Sequence, residues 1–379
     1  MRDGPRVGLF LSAFFAAAAV TTAYLPLWFA DRGLSAAEIG QVLGLGSLLR
    51  VVAVPGWGWL ADAVGRRRAV LFAAAVLAAG GAALLPATGG LAHAFWPVLL
   101  ITAVQGVSAS ALTPLSDALS LALAGARRLD YGRTRAWGSA AYMLATAGAG
   151  GIVGRLGSGV VPWLLAAGYG AAAGLAALLP EAAGGARRPG HILAPLRLPA
   201  FRLALLATAL IQGAHATYYA FAPLYWRSVG IQDSTIGLLI AEGIIAEVAL
   251  FIWGRALVDW LGPARLTALA AGASALRWTV TAFVTDVPVL AVVQVLHAGT
   301  FAFQHLSSML VLRTLPAARA GTAQALLSAL GFSAPTAALI WVSGQVYGTL
   351  GGLTFLVMAV VGGLGAVTVP GLRALSTKV

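Results

Sequence analysis

The chain has 379 residues, 60% of them hydrophobic and only 9% charged, with a formal net charge of +12 and a mean hydropathy of +0.89. So few charges cannot cover a soluble surface, which excludes soluble globular classes and leaves a polytopic membrane protein. Cysteine is absent, removing disulfides, thiolate metal sites and cysteine nucleophiles. The excess arginine lies in short clusters between apolar spans, where it encodes topology rather than nucleic-acid binding.

In chain order, twelve apolar spans are expected, at about 7–30, 36–64, 69–88, 91–124, 133–155, 160–180, 200–226, 233–260, 264–285, 287–313, 319–348 and 351–371. Each is long enough to cross roughly 30 Å of hydrocarbon. Basic clusters mark every second junction, among them Arg2 and Arg6, Arg66 to Arg68, Arg127 and Arg128, and Arg187 and Arg188. The series continues with Arg255 and Arg265, Arg313 and Arg319, and Arg373 and Lys378, whereas the alternate junctions carry only Arg32, Arg155 and Arg227. The positive-inside rule then places both termini in the cytoplasm. The first span has the look of a signal peptide, but it has a repeat partner later in the chain and is read as a true span.

That repeat is visible at a fixed offset of 197 positions. Pro26 in Tyr24-Leu25-Pro26-Leu27-Trp28 matches Pro223 in Phe221-Ala222-Pro223-Leu224-Tyr225, Gly33 matches Gly230, Asp62 matches Asp259 and Gly65 matches Gly262. Two parallel six-helix halves follow, residues 1–180 and 200–379, joined by a cytoplasmic linker at 181–199. This is an all-α membrane fold of two pseudo-symmetric six-helix bundles.

The junction after the second span, Gly58-Trp59-Leu60-Ala61-Asp62-Ala63-Val64-Gly65-Arg66-Arg67-Arg68, resembles the signature loop of the major facilitator superfamily. There the loop belongs to a cytoplasmic gate, which implies that role for Gly58, Asp62, Gly65, Arg66 and Arg67. The repeat copy around Asp259 is degraded.

Further on, Asp117 and Arg135 lie nine residues either side of Ala126 in the basic loop. Antiparallel helices joined at that loop bring carboxylate and guanidinium to similar depth, roughly 10 Å inside the boundary at about 1.5 Å per residue. A charge at bilayer depth costs at least about 2.5–3.5 kcal/mol on insertion scales, so the pair is either functional or a structural ion pair. Arg50 and Glu247 each lie fifteen residues before their turn glycine, and Arg277 fifteen after Gly262. All three therefore fall near the midplane, where carriers of this build hold their solute. Glu242 is a third carboxylate, nearer the outer face. The competing reading is static charge pairing.

Two polar stripes accompany these charges. Gln212, His215, Tyr218, Tyr219 and Tyr225 share one face of the seventh span, and His297, Thr300, Phe301, Gln304 and Ser308 one face of the tenth, at spacings of three and four. They line a cavity or are satisfied structurally. His305 is expected to face slightly away.

Together these residues are similar to the branch of the superfamily that contains lactose permease and the phenylpropionate permeases, over nearly the whole chain. The resemblance makes Asp117 and Arg135 the solute-binding pair and puts Tyr142 in place of a stacking tryptophan. It matches Glu247, Arg277 and His297 to the branch's acid, arginine and histidine of helices 8, 9 and 10. Departures are equally plain: Thr300 replaces the proton-carrying glutamate, and His215 and Tyr218 replace two aspartates. Phe332 falls where a lysine is expected and Leu250 where an asparagine is, while Arg50 is additional. Tyr131 to Ser139, His215 to Tyr219 and Arg277-Trp278 resemble the phenylpropionate side.

The resemblance implies a proton-coupled symporter of a small organic anion, of the aromatic carboxylate type, in the bacterial inner membrane. Its expected partners are the solute, protons and the lipid bilayer; it is expected to be a monomer, with no cofactor, metal or catalytic residue. Arg50, Arg135 and Arg277 are the anion-binding candidates, with Asp117, Tyr142, His215, Tyr218, Tyr219, His297 and Gln304 around them. Glu247, then Asp117, are the proton-carrying candidates. Alternatives are a sugar or nucleoside symporter and a drug or metabolite exporter, the latter disfavoured by the arginines.

Overall fold

In the computed structural model, residues 3–89, 94–181 and 193–376 are described. Most of the expected linker and the Arg2, Arg187, Arg188 and Lys378 charges lie outside them, as do the side chains of Arg255 and Arg319. Contacts divide the chain into two units, Met1–Arg187 with Gln232–Leu238, and Arg188–Ile231 with Leu239–Val379.

The first unit contains α1 (Gly4–Asp31), α2 (Ala36–Val64), α3 (Arg67–Leu84), α4 (Phe95–Ala109), α5 (Leu112–Gly125), α6 (Tyr131–Leu156) and α7 (Val161–Ala176). Helix starts follow their capping residues. Ser35 and Glu38 form a reciprocal capping box before α2, and Asp130 Oδ1 accepts from the Arg133 N–H at 2.8 Å to open α6. Against α1, α6 packs through small residues: a Cβ on Gly8 would meet the Trp137 ring at 2.9 Å, and one on Gly138 the Phe15 ring at 2.7 Å.

The second unit contains α8 (Pro199–Gly213), α9 (Ala216–Ser228), most of α10 (Asp233–Trp253), α11 (Arg255–Phe283), α12 (Val287–His297), α13 (Phe303–Arg313), α14 (Ala317–Leu326), α15 (Ala334–Leu350), α16 (Thr354–Gly363) and α17 (Val369–Ser376). Grouped by their turns, α1 to α17 make twelve helical stretches among the described residues. Among the described residues, eight helices are long and apolar enough to cross a membrane by length and composition. Large apolar side chains face outward, Val52, Leu144, Val292 and Trp253 being more than 70% exposed. Such a surface suits lipid rather than water.

The 197-residue repeat is written in the backbone. Gly33 and Gly230 have φ of +82° and +89°, and Gly65 and Gly262 have +66° and +67°, a left-handed conformation that favours glycine. Pro26 lies inside α1 and Pro223 inside α9, tolerated because neighbouring helices satisfy what the missing N–H leaves open.

Several spans that read as unbroken are interrupted. The fourth breaks at Ser110–Ala111, where Ser110 Oγ donates to the Val107 carbonyl at 2.6 Å. The seventh breaks at Ala214–His215, and the eighth is interrupted at Gly254, after which helix resumes at Arg255 and runs on to the turn at Gly262. The tenth and eleventh each contain a π-helical segment, Ala298–Ala302 and Leu327–Ser333. Such turns carry an extra residue and are common at functional sites.

Candidate functional site

In the first unit, α5 and α6 set Arg135 Nε 3.6 Å from Asp117 Oδ1, each side chain 29% exposed. Tyr131, at the start of α6, donates its hydroxyl to the same carboxylate oxygen at 3.4 Å. The Arg135 guanidinium lies 4.3 Å from the centre of the Phe15 ring of α1, a cation–π contact worth about 0.5–1 kcal/mol where partly exposed. Tyr142 stands further along α6 and is partly exposed. Arg50 is elsewhere. From α2 its Nη2 comes within 3.7 Å of a Cβ built on Gly106 of α4, and it feels the Tyr169 hydroxyl of α7 electrostatically. Among the described residues no ion pair joins Arg50 to Asp117.

At the end of α2, Gly65 donates its N–H to the Ala61 carbonyl, and Arg67 Nη2 stands 3.4 Å from Asp62 Oδ1. Arg68 reaches Glu181 at 3.6 Å and the Leu179 carbonyl at 3.5 Å, tying this loop to the end of the first unit. Gly58 has open space around it, and Arg66 is exposed.

The second unit holds a denser arrangement around Arg277 of α11, which is 0% exposed. Its Nη1 donates to His297 Nδ1 at 2.9 Å and to Thr300 Oγ1 at 3.2 Å, and its Nη2 to Gln294 Oε1 at 2.8 Å. The Trp278 and Tyr218 rings lie 4.4 and 4.7 Å from the guanidinium carbon. On the far side of the imidazole, His297 Nε2 is 3.3 Å from Glu247 Oε2 of α10. Gly243, one turn before Glu247, permits this approach: a Cβ there would lie 3.2 Å from that of His297.

Partners fix both histidine tautomers. Arginine only donates, so His297 Nδ1 must hold a lone pair; its proton is on Nε2, directed at the Glu247 carboxylate. His215 Nδ1 faces the Ile211 and Gln212 carbonyls at 3.2 Å each, so that nitrogen carries the proton and closes the free end of α8. His215 Nε2 then accepts from the Thr300 hydroxyl at 3.0 Å. Thr300, replacing an acid by resemblance, thus accepts from Arg277 and directs its one proton at His215, with the His297 carbonyl a second acceptor at 3.2 Å. Tyr219 stacks on His215, its ring centre 5.7 Å away, and Tyr218 packs between Trp278 and His297.

Gln304 donates its amide to Thr208 Oγ1 and Ser308 Oγ at 3.2 Å each, away from the Arg277 cluster. Beside this group lies a cavity of about 220 Å³, lined in part by His305. The expectation that His305 faces away is corrected: its ring is stacked on Phe301 at 6.4 Å. Four-residue steps from His297 through Phe301 to His305 give a ladder of parallel rings, and that i, i+4, i+8 spacing was the available signal. Gln294, one turn before His297, gave no comparable sign, being a lone amide in an apolar run.

The sequence pattern of the MFS_1 like family matches residues 6–357. The chain is 31% identical over 342 residues to a probable 3-phenylpropionic acid transporter of Escherichia coli (strain K12), covering 88% of this chain and 89% of that one. It is 30% identical over 261 residues to the maltose permease of Geobacillus stearothermophilus, covering 68% and 65%. Its fold is similar to that of the nucleoside transporter NupG, with a TM-score of 0.79 at 17% identity over 99% of each chain. The chain therefore belongs to the MFS_1 like family and is an integral membrane transporter of small molecules with the major facilitator fold, not an enzyme.

Proposed function

We propose that this transporter carries a small organic anion, an aromatic carboxylate of the 3-phenylpropionate type, together with a proton across the bacterial inner membrane by alternating access. One observation carries the reading: of Arg50, Arg135 and Arg277, only Arg135 pairs with a carboxylate among the described residues. Cations kept at membrane depth without an acid partner are costly, and a solute carboxylate, which a guanidinium fork matches in shape, offsets that cost. The relative from Escherichia coli supports the choice of solute.

In this proposal the solute carboxylate goes to the arginines it can reach. These are Arg50, exposed on α2, and Arg135, which exchanges Asp117 for it, both members of that pair being accessible, whereas Arg277 is held by its neutral partners. Tyr142, Tyr218 and Tyr219 offer aromatic contacts. Glu247 takes the proton. With His297 Nε2–H aimed at it and Arg277 behind the imidazole, an ionised Glu247 completes a chain of opposite charges, and protonation breaks that chain. Asp117 is the second proton candidate. The loop at Gly58, Asp62, Gly65, Arg66 and Arg67 is the proposed cytoplasmic gate, both termini lie in the cytoplasm, and the protein works as a monomer. Uptake of labelled 3-phenylpropionate into proteoliposomes, with and without an inward proton gradient, tests this; uptake that ignores the gradient, or none at all, ends it.

A second reading, symport of a neutral sugar or nucleoside, is favoured by the similarity to maltose permease and by the partly exposed Asp117–Arg135 pair, which can bridge hydroxyls. Competition separates the two, because sugars then displace the bound solute and carboxylates do not.

A further inference from the structure

The cavity in the second unit is not absorbed by the charge network. It lies between the two π-helical segments: Phe301 belongs to the first, and Leu327, Ser328, Phe332 and Ser333 to the second. At about 220 Å³ it falls below the roughly 300–1,000 Å³ of sites that enclose a drug-sized ligand. It has room for an aromatic ring. Phe301 and Phe332 meet edge to face with centres 6.2 Å apart and supply flat apolar walls.

Part of its polar wall has used up its protons. Thr208 donates to the Ala204 carbonyl at 2.7 Å; the contact of 2.8 Å between Thr208 and Ser308 therefore takes its proton from Ser308. Both hydroxyls also receive the Gln304 amide, and the Gln212 amide is spent on the Phe301 carbonyl at 3.0 Å. His305 and Gln324, also on this wall, keep N–H donors of their own, and one acceptor beside them, Gln212 Oε1, is buried with no partner among the described residues. A buried amide oxygen without a donor is costly. Rotation about the soft terminal torsion of Gln212 turns its oxygen to a donor entering the cavity, in exchange for the amide's bond to the Phe301 carbonyl. Opposite stands Ser328, exposed and without a hydrogen bond among the described residues, free to donate in return.

We infer that this cavity receives a hydroxylated aromatic ring, the hydroxyl donating to Gln212 and accepting from Ser328, so that the transported carboxylate is a phenol rather than a plain phenyl compound. The inference rests on the organic-anion reading and narrows its substrate class. Phe332 in place of a charged residue keeps the cavity neutral, as an un-ionised phenol requires.

Isothermal titration calorimetry on the purified protein, with 3-phenylpropionate and its 2-, 3- and 4-hydroxy isomers, tests it. One isomer is expected to bind about tenfold tighter than the unsubstituted acid. Gln212→Leu and, as a gentler change, Ser328→Ala should bring that ratio to within about twofold. Equal binding of all four acids by the wild-type protein, binding of none, or a ratio untouched in both variants overturns the inference. Gradient-driven uptake is read separately. Uptake without preference for a hydroxyl removes this inference and keeps the carrier reading; a tenfold preference in binding without uptake keeps the inference and removes the carrier.

Discussion

Two arginines on equivalent tasks in charge terms are held in opposite ways. Arg135 has a carboxylate, an aromatic ring and 29% of its side chain exposed. Arg277 has no exposure and is met by a histidine, a threonine, a glutamine and two ring faces. An accessible ion pair contributes about 0.2–1 kcal/mol and can change partners at little cost. A buried cation held by fixed neutral acceptors cannot, because each acceptor it abandons is left unpaired. The first is suited to exchange and the second to holding a geometry, so burial rather than charge separates their roles.

Breaking the second arrangement should have the largest effect. Arg277→Leu strands His297 Nδ1, Gln294 Oε1 and the Thr300 hydroxyl, and a loss of about 2–4 kcal/mol is expected in denaturant or thermal unfolding of the purified protein. An unfolding midpoint equal to wild type would show that the network adds nothing. Next comes Glu247→Gln. Its amide oxygen still accepts from His297 Nε2–H, so stability should change by less than about 1 kcal/mol. Gradient-driven accumulation should vanish while solute exchange across the membrane continues; if accumulation survives, Glu247 does not carry the proton.

Arg135→Lys sharpens the contrast from the other side. Lysine keeps the charge but loses the fork, so binding of 3-phenylpropionate should weaken about tenfold, roughly 1.4 kcal/mol. Unfolding should move by no more than about 1 kcal/mol. A large drop in stability without a drop in affinity would reverse the roles of the two arginines. Smallest of all, Arg67→Ala removes a 3.4 Å contact to the 59% exposed Asp62 and should cost no more than about 0.5 kcal/mol. Its effect belongs in the rate of transport, measured by stopped-flow uptake, with equilibrium binding unaltered.

Much of the scaffold was legible in the sequence because membrane helices announce themselves by apolar length, and their turns by glycine. Gly33, Gly65, Gly230 and Gly262 mark turns in both halves for one reason: the left-handed backbone there disfavours any side chain. Depth can be counted from those turns, which singles out Arg50, Glu247 and Arg277. Rotation about the helix axis could not be counted in the same way. The breaks at Ala214–His215 and Gly254 and the π segments at Ala298–Ala302 and Leu327–Ser333 reset the angular position of every residue that follows. A face drawn on an ideal helix therefore misplaced His305, and did not gather Thr208, Gln212 and Ser328 around one space. Nor does residue type distinguish the accessible Arg135 from the sealed Arg277, since burial is a property of neighbours distant in sequence.

The surplus residue in each π segment has a geometric corollary. Forcing Ala298–Ala302 into ordinary α-helix with no residue removed would make the surplus residue turn the tenth span further. At 3.6 residues per turn, that swings Gln304, His305 and Ser308 by about 100° relative to His297. The charge network upstream would stay put while one side of the ring-sized chamber revolved out of place. A single inserted amino acid thus acts as the key that indexes two otherwise separate polar regions on one helix.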